Sequence, residues 1–217
     1  IQKILKLKYI NIKCITIINS KSSLINKKKY FLKGIGLLQS IKLGLILFQK
    51  KILNFLDISS NTVLFKKRYS LEGISIKNNI DFIKSNNPND KYYISKIKKI
   101  NPDLIISFSC PIIFKKELIN IAKYGCINLH CSYLPKYSGL MPSFWVLYNK
   151  EKNTGVSIHL MDNKIDNGSI LMRKKILIPS KSTVYSLIKL TKSIGGNLMC
   201  KVLSKINKNG FSNLKLI

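Results

Sequence analysis

Acidic residues are scarce: nine Asp and Glu face 38 Lys and Arg in 217 residues, a formal charge of +29. Histidine occurs twice, as His130 and His159, and arginine twice, as Arg68 and Arg173. The near absence of arginine argues against a surface selected for phosphate, which favours the bidentate guanidinium fork. Lysine is instead crowded together with Ile and Asn along the whole chain, the pattern of drift towards A/T-rich codons. The charge is therefore read as a solvated surface that attracts anions, with RNA contact kept as an alternative. No apolar run approaches the roughly 20 residues that cross a bilayer. The richest stretch, 35–56, is interrupted by Gln39, Lys42, Gln49, Lys50 and Lys51. No secretory signal pattern opens the chain, so a cytoplasmic protein is expected. Five cysteines, Cys14, Cys110, Cys126, Cys131 and Cys200, form no C-x-x-C pair. Neither a disulfide framework nor a metal site is indicated, and buried reduced thiols are expected.

What is present is 46% hydrophobic residues, too many for a disordered chain, arranged in alternating strand-like and helix-like segments. That alternation predicts an α/β fold with a Rossmann-like open, mostly parallel sheet and helices on both faces. Strands are expected over 10–19, 62–65, 103–108, 126–129, 155–161 and 170–178. Helices are expected over 36–55, 80–84, 92–100, 115–123, 143–148 and 182–203, the 36–55 helix facing a core by default, with a partner or a membrane surface as the alternative. With no repeat or linker, residues 1–217 are read as one domain. The chain begins without Met on a helix-like segment, so the first strand of such a sheet is expected to be missing.

His130 follows a predicted buried strand within N-L-H-C-S-Y-L-P-K-Y-S-G. Open α/β sheets place ligands at the carboxyl ends of their strands. His159 lies inside the predicted strand T-G-V-S-I-H-L-M, and the polar turn D-N-K-I-D-N-G that follows holds Asp162 and Asp166. Asp, Asn and Gly are turn residues in their own right, so the turn alone does not settle a role for either aspartate.

Taken together, Asn128, His130, Ser132, Leu134, Pro135 and Gly139, then 154–157, then Asp166 and Gly168, resemble the signature of the 10-formyltetrahydrofolate-dependent formyltransferases. The resemblance is strongest over 101–180. It implies transfer of a formyl group from 10-formyltetrahydrofolate to a primary amine, without a metal. It further implies that Asn128 stabilises the oxyanion of a tetrahedral intermediate, that His130 assists, and that Asp166 orients the imidazole and relays protons. Cofactor contacts are implied for Cys110, Pro111, Ile112, Ile113 and Phe114 on one loop and Met161, Asp162 and Ile165 on another. Ser132, Leu134, Pro135 and Gly139 are the implied substrate contacts, and His159 is assigned no step. Ser138 stands where many members have arginine before the glycine, which removes one acceptor contact. The room after the Asp-x-Gly loop is too short for the C-terminal β-barrel of tRNA-acting members. An amino sugar on a nucleotide and methionyl-tRNA both stay open as acceptors, and no oligomeric state follows. Two other classes also stay open: a truncated, non-catalytic homologue and a basic RNA-binding protein. A Cys131–His130 hydrolase is disfavoured, because neighbours at a strand end point apart.

Overall fold

The computed structural model describes residues 1–19, eight positions within 41–55 (41, 45, 48, 49, 51–53 and 55), residues 70–213 and residue 216. They fall in two compact units, residues 12–86 and residues 1–11 with 87–217.

In the 12–86 unit, β1 (Cys14–Ile18) pairs in parallel with β2 (Asp81–Ser85), Cys14 opposite Asp81 and Ile18 opposite Ser85. Helix α1 (Leu71–Lys77) leads into β2; the Ser70 hydroxyl caps it by accepting from the Gly73 N–H at 2.8 Å. The helix expected over 80–84 is thus a strand: D-F-I-K-S half-buries Phe82 and Ile83 and finds its backbone partners on β1. A five-residue apolar run carries no period long enough to separate helix from strand. The strand expected over 62–65 lies outside the described residues. The described positions within 41–55 are helical, as expected, yet Ile41, Leu45, Phe48, Ile52 and Phe55 are exposed rather than core-facing.

The second unit holds a four-stranded sheet in the order β3 (Ile105–Phe108), β4 (Cys126–His130), β5 (Asn153–Leu160), β6 (Ile170–Leu177). β3 and β4 are parallel, and β5 and β6 add antiparallel. Helix α2 (Lys91–Ile100) starts at Asp90, whose carboxylate accepts from the Tyr92 and Tyr93 N–H groups, and buries Tyr93, Ile94 and Ile97. It stops at Asn101, which takes the left-handed conformation that Asn tolerates ahead of Pro102. The helix expected over 115–123 is shorter, α3 (Lys116–Ile119); the chain then turns to Gly125, whose φ of +69° brings it into β4. Helix α4 (Pro142–Tyr148) opens with its proline at the first helical position, where the missing N–H costs nothing. The 26-residue α5 (Val184–Asn209) begins with reciprocal bonds between Thr183 and Ser186 and packs its buried side on β4, β5 and β6. Ile127, Val156, Ile158, Leu187 and Met199 are fully buried at this helix–sheet layer. Burying a side chain of this size stabilises the fold by about 1.5–3 kcal/mol.

Candidate active site

Strand β4 carries Asn128 and His130 two residues apart, so both side chains leave the same face of the sheet. In the antiparallel register of β4 with β5, His159 is the direct cross-strand partner of Asn128. The Asn128 Nδ2 accordingly lies 3.2 Å from His159 Nε2. A register shift between Ile158 and His159 relative to β6 marks a bulge at the same place, a device that re-aims side chains next to functional sites.

The third element is the loop joining β5 to β6. Its return depends on Gly168: a Cβ there would sit 2.0 Å from the Leu160 carbonyl oxygen, so only glycine allows the loop to close on the strand end. Asp162 ties the turn by accepting from the Lys164 N–H at 2.9 Å and from Asn167 Nδ2 at 3.3 Å. Asp166 takes a left-handed conformation, φ +47°, and swings its carboxylate back over β4. There Oδ1 accepts from Asn128 Nδ2 at 3.3 Å and lies 3.4 Å from His159 Nε2. Oδ2 lies 3.3 Å from His130 Nδ1 and accepts from the Gly139 N–H at 2.8 Å. Amide, two imidazoles, carboxylate and a backbone N–H therefore meet at one point.

Burial works to raise the Asp166 carboxyl. The bond from His159, the neighbouring His130, the Gly139 N–H and the charge of His159 outweigh it and hold Asp166 below the usual carboxylate range. His130 Nε2 is 2.8 Å from the Tyr137 carbonyl, and His159 Nδ1 is 2.7 Å from the Leu160 carbonyl. A carbonyl only accepts, so each of these nitrogens donates. His159 Nε2 faces both Asn128 and Asp166 and can either accept from the first or donate to the second, whereas His130 bonds Asp166 only when its Nδ1 also carries a proton. The geometry thus sets the His130 ring against the Asp166 carboxylate.

A cavity of about 520 Å³ opens onto this cluster. Its lining includes the 110–114 loop with Met161, Asp162 and Ile165 on one side, all eight of the residues assigned to the cofactor from the sequence. Asn128, His130, Asp166 and Gly139 also line it, and α5 contributes Val184, Ile188 and Lys192 at four-residue spacing. Leu140, Met141, Phe144, Ser107, Ser109 and His159 line it too, none of which the sequence singled out for a role. The one signal for His159 was its place opposite Asn128, which needs a strand register the sequence does not give. Four residues around the cavity and its cluster, Ser109, Tyr137, Met141 and Asp166, hold positive φ without being glycine, a form of strain that gathers at functional sites.

Three expected substrate contacts fall elsewhere. Ser132 is fully buried and donates to the Lys136 carbonyl at 2.7 Å. Leu134 is buried, its N–H donating to Ser157 Oγ and its carbonyl accepting from Arg173. Pro135 follows through a cis peptide bond and, like the other two, is not in the cavity lining. These residues shape the loop that delivers Gly139, because the serine–proline segment has its polar groups used up internally. The Cys131 thiol, raised by burial, is a poor nucleophile at neutral pH. Among the described residues no group of three or more His, Cys, Asp or Glu is disposed to hold a metal ion.

An amide–imidazole–carboxylate cluster thus sits at the carboxyl end of a strand of an α/β sheet and opens on a largely apolar cavity. The chain belongs to the formyl transferase family, whose model matches residues 47–203. It is 38% identical over 184 residues to the bifunctional polymyxin resistance protein ArnA of Wigglesworthia glossinidia brevipalpis, which covers 83% of this chain and 27% of that protein. It is 39% identical over 119 residues to methionyl-tRNA formyltransferase of Thermodesulfovibrio yellowstonii, covering 55% of this chain and 39% of that one. The chain thus spans well under half the length of these curated relatives. A sugar N-formyltransferase from a Shewanella species superposes with a TM-score of 0.54 and 26% identity, over 80% of this chain and 68% of the other. Phosphoribosylglycinamide formyltransferase from Bacillus halodurans shares the fold with a TM-score of 0.61 over 93% of this chain and 99% of the other, at 18% identity.

Proposed function

We propose that this chain transfers a formyl group from 10-formyltetrahydrofolate to a primary amine, with Asn128, His130 and Asp166 as its catalytic residues. The observation that carries the reading is the meeting of Asp166 with both Asn128 and His130 at the wall of one cavity. The donor, when bound, supplies an electrophilic formyl carbon. The apolar 110–114 loop with Met161 and Ile165 offers a slot of suitable size and chemistry for its flat ring system.

In this reading Asn128 turns one Nδ2 hydrogen from its long contacts at 3.2 and 3.3 Å towards the oxyanion that forms as the amine adds. Such a preorganised donor contributes about 3–4 kcal/mol to the transition state. His130, held against Asp166, adds a second hydrogen-bond donor. Asp166, whose charge holds both partners until then, takes the proton released by the amine, directly or through water, and returns it to the leaving folate nitrogen as the bond from that nitrogen to the formyl carbon breaks. His159 orients the Asn128 amide from behind.

For the acceptor we favour an amino sugar carried on a nucleotide. Support comes from the sugar N-formyltransferase that shares 80% of this chain at 26% identity, and from the segment G-L-M-P-S-F-W-V-L-Y. Methionyl-tRNA is the second reading, supported by the relative at 39% identity. Incubating the protein with radiolabelled formyl donor and each amine in turn distinguishes them: label is expected in the amino sugar nucleotide. Label in methionyl-tRNA alone would select the second reading, and label in no amine would reject formyl transfer.

A further inference from the structure

The helical segment within 41–55 has no part in the site above. Its exposed apolar residues Ile41, Leu45, Phe48, Ile52 and Phe55 follow a strict 4-3-4-3 spacing. At about 100° per residue these positions fall within an arc of about 80°. The first four are exposed by 44% at Ile52 to 62% at Phe48, so an apolar ridge faces solvent along about three turns. Exposed apolar side chains in a contiguous row, unlike scattered ones, mark an interaction surface. Lys51, also exposed, flanks the ridge.

Charge decides what the ridge meets. Residues 12–56, within the same unit as the helix, contain nine lysines, three of them consecutive at 27–29, and no aspartate, glutamate or arginine. A second copy of this chain would bring another all-positive segment against the first. The ridge spans only about two heptads, short of the three or four that sustain a coiled coil. RNA would match the charge and can stack a base on Phe, but the aliphatic Ile and Leu that make up most of the ridge offer it little. An anionic lipid surface satisfies both features: it accepts apolar side chains between its headgroups and attracts lysine to its phosphates. The segment is too lysine-interrupted to span a bilayer, and among the described residues no helix is long and apolar enough to do so.

We infer that this segment is an interfacial helix that docks the protein on an anionic membrane surface, lying in the headgroup plane with its 41–45–48–52 ridge inserted. Lys51 lays its alkyl stem along the ridge and extends its ammonium to the phosphates. Each such lysine near an anionic surface adds to the attraction, and salt weakens it. The inference is independent of the formyl-transfer reading, since no residue of the cavity takes part.

The test is vesicle flotation of the full chain, comparing phosphatidylcholine vesicles with and without about 30% phosphatidylglycerol. The Leu45→Ser, Phe48→Ser double variant, altered only at exposed positions, is run beside it, with circular dichroism to confirm folding. The wild type is expected to float with the anionic vesicles alone, and the double variant to partition at least about tenfold more weakly. Failure of the wild type to float would overturn the inference. So would equal flotation of the variant, the sign of charge attraction without insertion. A wild type that sediments as a dimer while the variant sediments as a monomer would assign the ridge to self-association instead.

Discussion

Asp166 is the residue on which the site turns. Four neighbours from three stretches of chain point at its two oxygens, and their combined pull overcomes the cost of burying a charge. Because its folded pKa is lowered, Asp166 contributes stability that is fully present above the ordinary carboxylate value of about 3.9. That contribution is lost as pH falls through this value towards the depressed folded one. Asp166→Asn should therefore flatten part of the acid limb: melting temperatures of the wild type and variant, measured from neutral pH downward, should converge below pH 4. A constant gap across the range would show that the carboxylate carries no charge-linked stability. His159, which the sequence offered only as a strand histidine, completes the cluster. Its contact with Asn128 and Asp166 follows from register and from a loop closing 38 residues along the chain from Asn128, neither of which composition or local pattern encodes.

At the scale of elements, the loop between β5 and β6 is what converts a strand-end pair into a cluster. Its closure rests on Gly168, whose neighbour is a backbone carbonyl that has no rotamer to change. Gly168→Ala should push the loop off β5, lowering the melting temperature by several degrees and turnover by at least about tenfold, a loss of the size expected when a catalytic group is displaced by about 1 Å. Retention of full turnover would show that Asp166 reaches its place by another route. The buried strands were legible because short, mostly apolar segments entered through Gly or Asn leave few alternatives, as in 126–129 after Gly125 and 155–161 after Asn153. Strand β2 was not legible: D-F-I-K-S is short and half-polar, and only its pairing with β1 makes it extended. The 115–123 helix was overextended because Asn120 and the turn to Gly125 end it early, a boundary set by the entry into β4.

For the whole molecule, the order of motifs along the chain conveyed the family, and the structure explains why their spacing is informative. The 128–130 pair, the 137–139 bend and the 162–168 loop are separated by the lengths of chain needed to bring Asp166 within bonding distance of all of them. The three motif residues Ser132, Leu134 and Pro135 belong to that framework rather than to the cavity wall, a distinction that a motif cannot make. The 41–55 ridge was visible as a helix, but its facing outward was not, because an apolar stripe reads the same whether it meets a core or a membrane. The measurement that bears most directly on the central claim is single-turnover formyl transfer from 10-formyltetrahydrofolate to the amine acceptor by the wild type and by Asp166→Asn, with donor binding measured in parallel. The account predicts that the variant binds donor about as well as the wild type and forms formamide about 100-fold or more slowly. Equal rates in the two proteins would contradict it.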